Sequence, residues 1–192
     1  DLDGTLYDPT ALRQAVARRI ARAVAGGRWA SAREAGKAIR QHKAVDRRVR
    51  SEGGRVDPAA LAFWTGPLWS AFTEDYLLPC LQEIGPYTEA VSVLDAIARS
   101  GRRQVVVSDF DGEDKLSALG LRERFGEVFS GLRMGALKPH PVVMSTVLGR
   151  LELPPERVLH VGDRADTDIA AADGAGMASV LVSGRFDALR DA

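Results

Sequence analysis

Asp-Leu-Asp-Gly-Thr-Leu at residues 1–6 is the stretch around which the chain is organised. In extended backbone, residues i and i+2 point to the same side, so Asp1 and Asp3 share one face. Gly4 allows a tight turn and a close approach to a bound group. One carboxylate can then act as a nucleophile and the other as a general acid or base, or both can bind Mg²⁺. The alternative is a turn with two exposed acids.

The composition indicates one domain of ordinary size, or a core with an insertion. The chain has 192 residues, of which 45% are hydrophobic, enough for a sizeable core. The sequence contains no long uncharged apolar run, so we expect no membrane span. The single cysteine, Cys80, cannot form an internal disulfide, which favours a packed thiol and a cytoplasmic location.

The charge is balanced overall but unevenly distributed along the chain. The chain carries 26 basic and 26 acidic residues, yet thirteen Lys and Arg against three acids lie between Arg13 and Arg55. Such a stretch can attract phosphate or nucleic acid. We favour the alternative of solvated faces on arginine-rich helices, and we expect no nucleic-acid partner. Some of these side chains should nevertheless face the binding cleft.

Residues 9–83 are predicted to be entirely helical. Asp8-Pro9 and Asp57-Pro58 each combine a preferred N-cap residue with proline at the first helical position. Ser31, followed three residues later by Glu34, is typical of a capping box and predicts another helix start. Aromatic residues from Trp69 to Tyr76 follow helical spacing, which indicates helix packing.

The remainder of the chain alternates short apolar runs with helical patterns. The runs are rich in β-branched residues and are typical of buried parallel strands. This alternation predicts an α/β fold with a parallel sheet and right-handed crossovers. The predicted strands cover residues 104–108, 127–130, 157–161 and 178–182.

Polar residues stand at the ends of these strands, where ligands bind in open α/β sheets. Ser108 and Asp109 follow the first strand, and Lys138 lies in a proline-rich loop before a helix. Asp163 follows the third strand, in a loop that also carries Asp166 and Asp168. Clustered carboxylates repel one another unless a cation lies among them. Together with Asp1 and Asp3, these residues predict a site for Mg²⁺ and phosphate.

The chain resembles the haloacid dehalogenase (HAD)-like hydrolases. Residues 1–6 resemble the first motif of that family, and Ser108 after an apolar strand resembles the second. Lys138, in Leu-Lys-Pro-His-Pro, resembles the third, and Gly-Asp-Arg-Ala-Asp-Thr-Asp at residues 162–168 resembles the fourth. The resemblance implies a three-layer Rossmann-like core at residues 1–8 and 84–192. It also implies a helical cap at residues 9–83, inserted between the first and second motifs.

The resemblance also implies a Mg²⁺-dependent phosphatase that acts on a small phosphomonoester. Asp1 would attack phosphorus and become an aspartyl phosphate, and Asp3 would protonate the leaving oxygen. Unlike the dehalogenases, whose leaving halide needs no proton, this chain carries an acid at the second position. The remaining implied roles are phosphoryl binding by Ser108, Asp109 and Lys138, and metal binding by Asp1, Asp3 (through its backbone carbonyl) and Asp163. Asp168 would assist at the metal through water or by orienting its neighbours.

Two other functions are compatible with the sequence. A phosphomutase would reuse phosphorylated Asp1 and exclude water. A catalytically weak module could instead use the basic stretch to bind an anionic partner or nucleic acid, with an affinity that depends strongly on salt. The pair of Asp1 and Asp3 favours the enzyme, because a binding module does not need both. The sequence does not specify the phosphoester or the oligomeric state.

The family places an apolar strand immediately before the nucleophile, and no residue precedes Asp1 in this sequence. We therefore expect this chain to be a fragment that is poorly stable and nearly inactive as given. The strands at 104–108 and 157–161 should be separated by roughly 9–10 Å, which is two strand spacings. Their facing backbone groups would lack partners, which is costly when they are buried.

Overall fold

A computed structural model describes residues 1–182 and shows the predicted α/β fold. The final part of the predicted core, residues 183–192, lies outside the described residues. Short π-helical segments cover Thr73–Leu77 and Ala165–Ile169. The strands are β1 (Val105–Ser108), β2 (Glu127–Ser130), β3 (Leu159–Gly162) and β4 (Ala178–Leu181). The α-helices are α1 (Pro9–Ala25), α2 (Trp29–Ser51), α3 (Pro58–Trp64), α4 (Pro67–Phe72), α5 (Leu78–Ile84), α6 (Thr88–Arg99), α7 (Glu113–Ala118), α8 (Gly131–Met134), α9 (Pro141–Leu151) and α10 (Ala170–Gly174).

The four strands form two separate parallel pairs. Strand β1 pairs with β2, and β3 pairs with β4, each over four residues. Within residues 1–182, β1 and β3 are not hydrogen-bonded to each other, as the sequence predicts. The backbone nitrogen of Asp1 donates to the carbonyl of Val161 in β3 at 2.8 Å. The Asp1 end of the chain therefore lies against β3.

The helix starts test the capping predictions directly. The carboxylate of Asp8 accepts from the backbone of Thr10, and Asp57 caps α3 in the same way, so both predicted N-caps are confirmed. Helix α2 begins at Trp29, so the predicted start at Ser31 is wrong by two residues. The Ser31 hydroxyl instead shares a 2.6 Å hydrogen bond with the Tyr76 hydroxyl. Ser31 therefore makes a tertiary contact and does not cap the start of α2.

Apolar side chains on the two faces of β1 belong to different hydrophobic clusters. Val106 packs in the largest cluster, which joins residues 2–7 to helices of both halves of the chain. Val107 packs in a second cluster with Phe129 of β2 and with Met144 of α9. Successive strand residues point to opposite faces, so helices cover both sides of the pair. This is the layered arrangement that the sequence predicts.

Residues 9–83, here called the helical segment, contain helices and no strand. The end of α2 continues into Gly54–Val56, which pairs with Gly135–Leu137 through two backbone hydrogen bonds of 2.8 and 2.9 Å. Leu137 is fully buried in a third cluster with Val49 and Trp64 of the helical segment. The helical segment therefore rests on the loop that leads into Lys138. Within residues 1–182, no helix has the length and apolar character needed to cross a membrane.

Candidate active site

The turn after Asp1 places two carboxylates beside the end of β3. The backbone nitrogen of Leu6 donates to the carbonyl of Leu2 at 3.0 Å, and the Leu2 side chain is fully buried. Gly4 has a φ of 92°. A Cβ atom at this position would lie 2.1 Å from a carboxylate oxygen of Asp163. Glycine is therefore required both by the backbone conformation and by the approach of Asp163.

The Lys138 side chain connects the first and fourth predicted motifs. Its ammonium group donates to Asp1 Oδ1 at 2.7 Å, to Asp168 Oδ1 at 2.6 Å and to the Val107 carbonyl at 3.2 Å. The side chain is only 2% exposed. A buried cation of this kind needs paired anions, and here it has two. It also reduces the repulsion between Asp1 and Asp168.

Asp163 and Asp168 have opposite pKa shifts. Burial raises the pKa of Asp163, and the charge of Asp168 adds to the effect. Burial would also raise the pKa of Asp168, but its hydrogen bond with His160 and the charge of Lys138 outweigh burial, so the pKa is lowered. Burial lowers the pKa of His160 to about 4. Gly162 allows this packing, because a Cβ there would lie 2.3 Å from the Cβ of Asp168.

The carboxylates of Asp1, Asp163 and Asp168 can all contribute to one metal site. One oxygen from each lies within 4.8 Å of the others. Among the described residues, the buried Oδ1 atom of Asp163 has no hydrogen-bond partner. An all-oxygen set with an unsatisfied carboxylate oxygen fits Mg²⁺. Asp166 lies outside this group, since its exposed carboxylate pairs with Arg164.

Asp3 is held by two side chains that the sequence reasoning did not identify. The ammonium of Lys115 donates to both Asp3 oxygens at 2.7 Å, and the Tyr7 hydroxyl donates to Oδ1 at 2.5 Å. Burial would raise the pKa of Asp3, but the charge and hydrogen bonds of Lys115 and the bond from Tyr7 lower it. The arrangement fixes the orientation of the Asp3 carboxylate and favours its ionised form.

Ser108 and Asp109 lie at the end of β1 in different environments. The Ser108 hydroxyl is buried without a partner in the part of the chain that the structure describes. The Asp109 carboxylate accepts from the Lys138 backbone and from the Arg50 guanidinium, both at 2.8 Å. A carboxylate repels phosphate, so phosphate binding by Asp109 would require its backbone nitrogen. That role remains a prediction.

These groups surround a cavity of about 370 Å³ between the helical segment and the strand ends. Of the predicted site residues, Asp1, Asp3, Asp109, Lys138, Asp163 and Asp168 line the cavity. Arg13 and Arg50 from the basic stretch also line it, as expected for part of that stretch. Further lining residues include His42, Trp69, Phe110 and Lys115.

Sequence signals for these additional residues were weak or absent. His42, Asp46 and Arg50 are spaced by four residues, which places them on one face of α2. That spacing could have indicated a shared environment, although it does not reveal which partner the face meets. Lys115 lies 112 residues from Asp3, and no local pattern connects them. Trp69 packs against neighbouring rings, as predicted, and lines the cavity as well.

The α/β fold and the carboxylate site can be compared with those of known protein families and solved structures. The family model for haloacid dehalogenase-like hydrolases matches residues 1–176. The HAD phosphatase structure from Thermococcus onnurineus covers 95% of this chain and 84% of its own, with a TM-score of 0.63 at 19% identity. The chain therefore belongs to the haloacid dehalogenase-like hydrolase family.

Curated relatives give a similar result. Haloacid dehalogenase-like hydrolase domain-containing protein 3 of Mus musculus is 33% identical over 120 residues, which cover 62% of this chain and 47% of that protein. Glyceraldehyde 3-phosphate phosphatase of Methanopyrus kandleri is 32% identical over 100 residues, which cover 50% and 43% of the two chains. The chain thus spans about half the length of the curated relatives it matches.

Proposed function

We propose that this protein is a Mg²⁺-dependent phosphatase that hydrolyses a phosphomonoester through an aspartyl phosphate on Asp1. The observation that carries the proposal is the position of Lys138, which bonds Asp1 and Asp168 while a buried oxygen of Asp163 has no partner within residues 1–182. Phosphoryl transfer needs positive charge at the reacting group and a positioned nucleophile. The phosphatase name of the Methanopyrus kandleri relative supports the same reaction class.

The chain's own residues account for the steps of this reaction. The Asp1 carboxylate attacks phosphorus, and the bond from phosphorus to the ester oxygen breaks. For the first step Asp3 must first bind a proton, which Lys115 and Tyr7 oppose, and it then donates that proton to the ester oxygen. In its ionised form it accepts a proton from the water that hydrolyses the aspartyl phosphate. Asp1, Asp163, Asp168 and the Asp3 backbone carbonyl would hold Mg²⁺, which supplies positive charge beside the phosphoryl oxygens when bound.

The helical segment would act as the cap of this site, with Ser108 and Lys138 binding phosphoryl oxygens. The cavity between the helical segment and the strand ends supports the cap, and Lys138 lines this cavity whereas Ser108 does not. Arg13 and Arg50, which line that cavity, would contribute positive potential for an approaching phosphate ester. We also propose a cytoplasmic location, which the buried free thiol of Cys80 supports.

Asp1→Asn tests the covalent mechanism. The variant should lose phosphatase activity, because an amide oxygen is a poor nucleophile toward a phosphate ester. Asp166→Asn is the matched control, since that carboxylate is exposed and lies outside the group of Asp1, Asp163 and Asp168. The control should retain activity that is removed by chelation and restored by Mg²⁺. Undiminished turnover in Asp1→Asn would contradict the mechanism.

A further inference from the structure

Three rings, those of His42, Trp69 and Phe110, form an aromatic wall that lines part of the cavity. The rings of His42 and Trp69 stack with centroids 4.5 Å apart, and Phe110 meets His42 edge-on at 5.2 Å. The indole nitrogen of Trp64 donates to His42 Nδ1 at 3.1 Å, so that nitrogen carries no proton. Burial lowers the pKa of His42 to about 4, consistent with a neutral ring. This wall is uncharged at neutral pH.

A second cavity of about 150 Å³ adjoins the first and shares part of this wall. The two cavities share Trp69, Leu77, Phe110 and Lys115 as lining residues. A single ordered water needs only about 10–15 Å³, so the second cavity is large enough for part of an organic molecule. Its remaining lining includes apolar side chains from Trp64, Leu78 and Leu132.

The second cavity also contains an unsatisfied hydroxyl group. Thr73 lines the cavity, and its Oγ1 atom is buried without a hydrogen-bond partner among residues 1–182. A buried hydroxyl without a partner is costly and is satisfied when a ligand supplies a donor or acceptor. Thr73 begins the π-helical segment Thr73–Leu77, and such segments occur frequently at functional sites.

The charges around the second cavity disfavour an anionic occupant. Lys115 is the one cation among the described residues that line it, and both Asp3 oxygens already accept hydrogen bonds from Lys115. Three exposed acids, Glu74, Asp111 and Asp114, also line this cavity. Asp111 is paired with Arg133, so a carboxylate entering here would meet Glu74 and Asp114, with no free cation among the described lining residues to pair with. An uncharged group meets no such penalty.

We propose that the second cavity binds the organic part of the substrate, and that this leaving group is an uncharged alcohol carrying an aromatic ring. The inference rests on the proposed phosphatase function, in which the phosphoryl group lies beside Asp1. The ring packs against Trp69 and Phe110, where aromatic side chains favour edge-to-face and offset contacts.

Hydrolysis of 2-phenylethyl phosphate and of ethyl phosphate provides the kinetic test. Both esters release a primary alcohol, so the chemistry at phosphorus is matched and the ring is the main difference. Burial of the ring should raise kcat/KM for 2-phenylethyl phosphate by about 10-fold to 100-fold. Equal values for the two esters, or a preference for 2-phosphoglycolate, would overturn the proposal. A preference for 2-phosphoglycolate would instead favour pairing of the substrate carboxylate with the exposed Arg13, which lines the first cavity.

Ser70→Trp should fill the second cavity and bring the ratio of the two kcat/KM values toward one. Ser70 is exposed and lines this cavity, so a larger side chain can be accommodated without disturbing the core. Ser92→Trp makes the same change at an exposed position of α6 that lines neither cavity. This control should leave the ratio unchanged. A ratio that is unaffected by Ser70→Trp contradicts binding in the second cavity.

Binding of 2-phenylethanol separates this proposal from the phosphatase function. The chain has three tryptophans, and Trp64 and Trp69 line the second cavity whereas Trp29 is 66% exposed at the start of α2. In ¹⁵N NMR spectra, the alcohol should shift the indole resonances of Trp64 and Trp69 but not that of Trp29. Shifts without ester hydrolysis would reject the phosphatase function alone. Hydrolysis without these shifts would reject the aromatic leaving-group site alone.

Discussion

Gly4 shows how one residue determines the spacing of the site. Its positive φ and the nearby Asp163 carboxylate leave no room for a side chain, since the Cβ position is 2.1 Å from that carboxylate. Any larger residue must displace either the turn that carries Asp1 and Asp3 or the loop that carries Asp163. The first and fourth motifs are therefore coupled by contact.

Gly4→Ala should reduce activity by more than about 100-fold, because a small displacement of reacting groups can cost that much. The strained backbone should also lower the free energy of unfolding by roughly 1–3 kcal/mol. Gly149→Ala is the control, since among the described residues no atom outside its own stretch of α9 lies within 4 Å of its Cβ position. That change should keep activity and add up to about 1 kcal/mol of stability. Normal activity in Gly4→Ala would show that the site tolerates the displacement.

Lys115 illustrates a second residue-scale effect, the orientation of an acid by a neighbouring cation. Lys115→Met should lower kcat by more than about 10-fold with little change in KM, because Asp3 loses both hydrogen bonds from the ammonium group. The loss should be smaller than the 10²–10⁴ expected for Asp3→Asn, which removes the acid itself. Steady-state kinetics with Lys115→Arg, which keeps the charge, should show partial recovery. An unchanged kcat in Lys115→Met would remove Lys115 from this role.

At the element scale, helix α2 contributes one face to the cavity. His42, Asp46 and Arg50 lie on this face, and Arg50 bonds to Asp46 at 2.9 Å and to the Lys138 carbonyl at 3.0 Å. Helix α2 thus supplies the neutral ring of His42 to the aromatic wall. It also supplies the guanidinium of Arg50 to the strand ends. His42 and Arg50, which perform these two roles, are about two helical turns apart.

The buried ring of His42 should make stability depend on pH. Its pKa is lowered from 6.5 to about 4, so between these values the unfolded chain binds a proton that the folded chain does not. The free energy of unfolding therefore falls as pH decreases from about 6.5 to about 4. Asp46 partly offsets the burial effect, and the nearby charges of Lys115, Asp3 and Arg50 have smaller effects.

Urea midpoints at pH 7 and pH 5 measure this dependence. The decrease between the two values should be smaller in His42→Gln than in the parent protein, because Gln does not titrate and can still accept from Trp64. His160 has a similarly lowered pKa and titrates in both proteins, so the difference between them isolates His42. Equal decreases in the two proteins would show that His42 does not contribute.

The sequence predicts elements best where the signals are local. Strand β2 matches its predicted bounds at residues 127–130, where the apolar pair Val128 and Phe129 marks it. Helix α9 begins at Pro141, directly after the proline-rich loop, because proline suits the first helical position. The start of α2 was missed because Ser31 bonds Tyr76, which is 45 residues away. Asp1, Lys138 and Asp163 could be proposed from strand ends and family resemblance. Lys115 could not, because its role depends on folding that brings α7 against residue 3.

At the scale of the whole molecule, the helical segment and the strand-bearing part share a hydrophobic cluster. Val49 and Trp64 come from the helical segment, whereas Leu132 and Leu137 come from the region after β2. Leu137 is fully buried and immediately precedes Lys138. Packing between the two parts of the molecule is therefore linked to the position of a site residue.

Leu137→Ala should lower the free energy of unfolding by about 2–5 kcal/mol. All three tryptophans lie in the helical segment, so their fluorescence reports its unfolding, and far-UV circular dichroism reports the whole chain. The two transitions should remain coincident in the parent protein and shift together in the variant. Fluorescence that changes at a lower urea concentration than circular dichroism would show that the helical segment unfolds independently.

The pairing of Gly54–Val56 with Gly135–Leu137 also limits how this protein can exchange parts with its relatives. A helical segment grafted from another family member would remove the backbone partner of Leu137 and the Arg50 partner of the Asp109 carboxylate. The loop carrying Lys138 would then lose its backbone support, although no residue of the core had changed. Residues 50–56, residues 135–138 and Asp109 therefore depend on one another structurally. A successful chimera must take all three from the same parent protein.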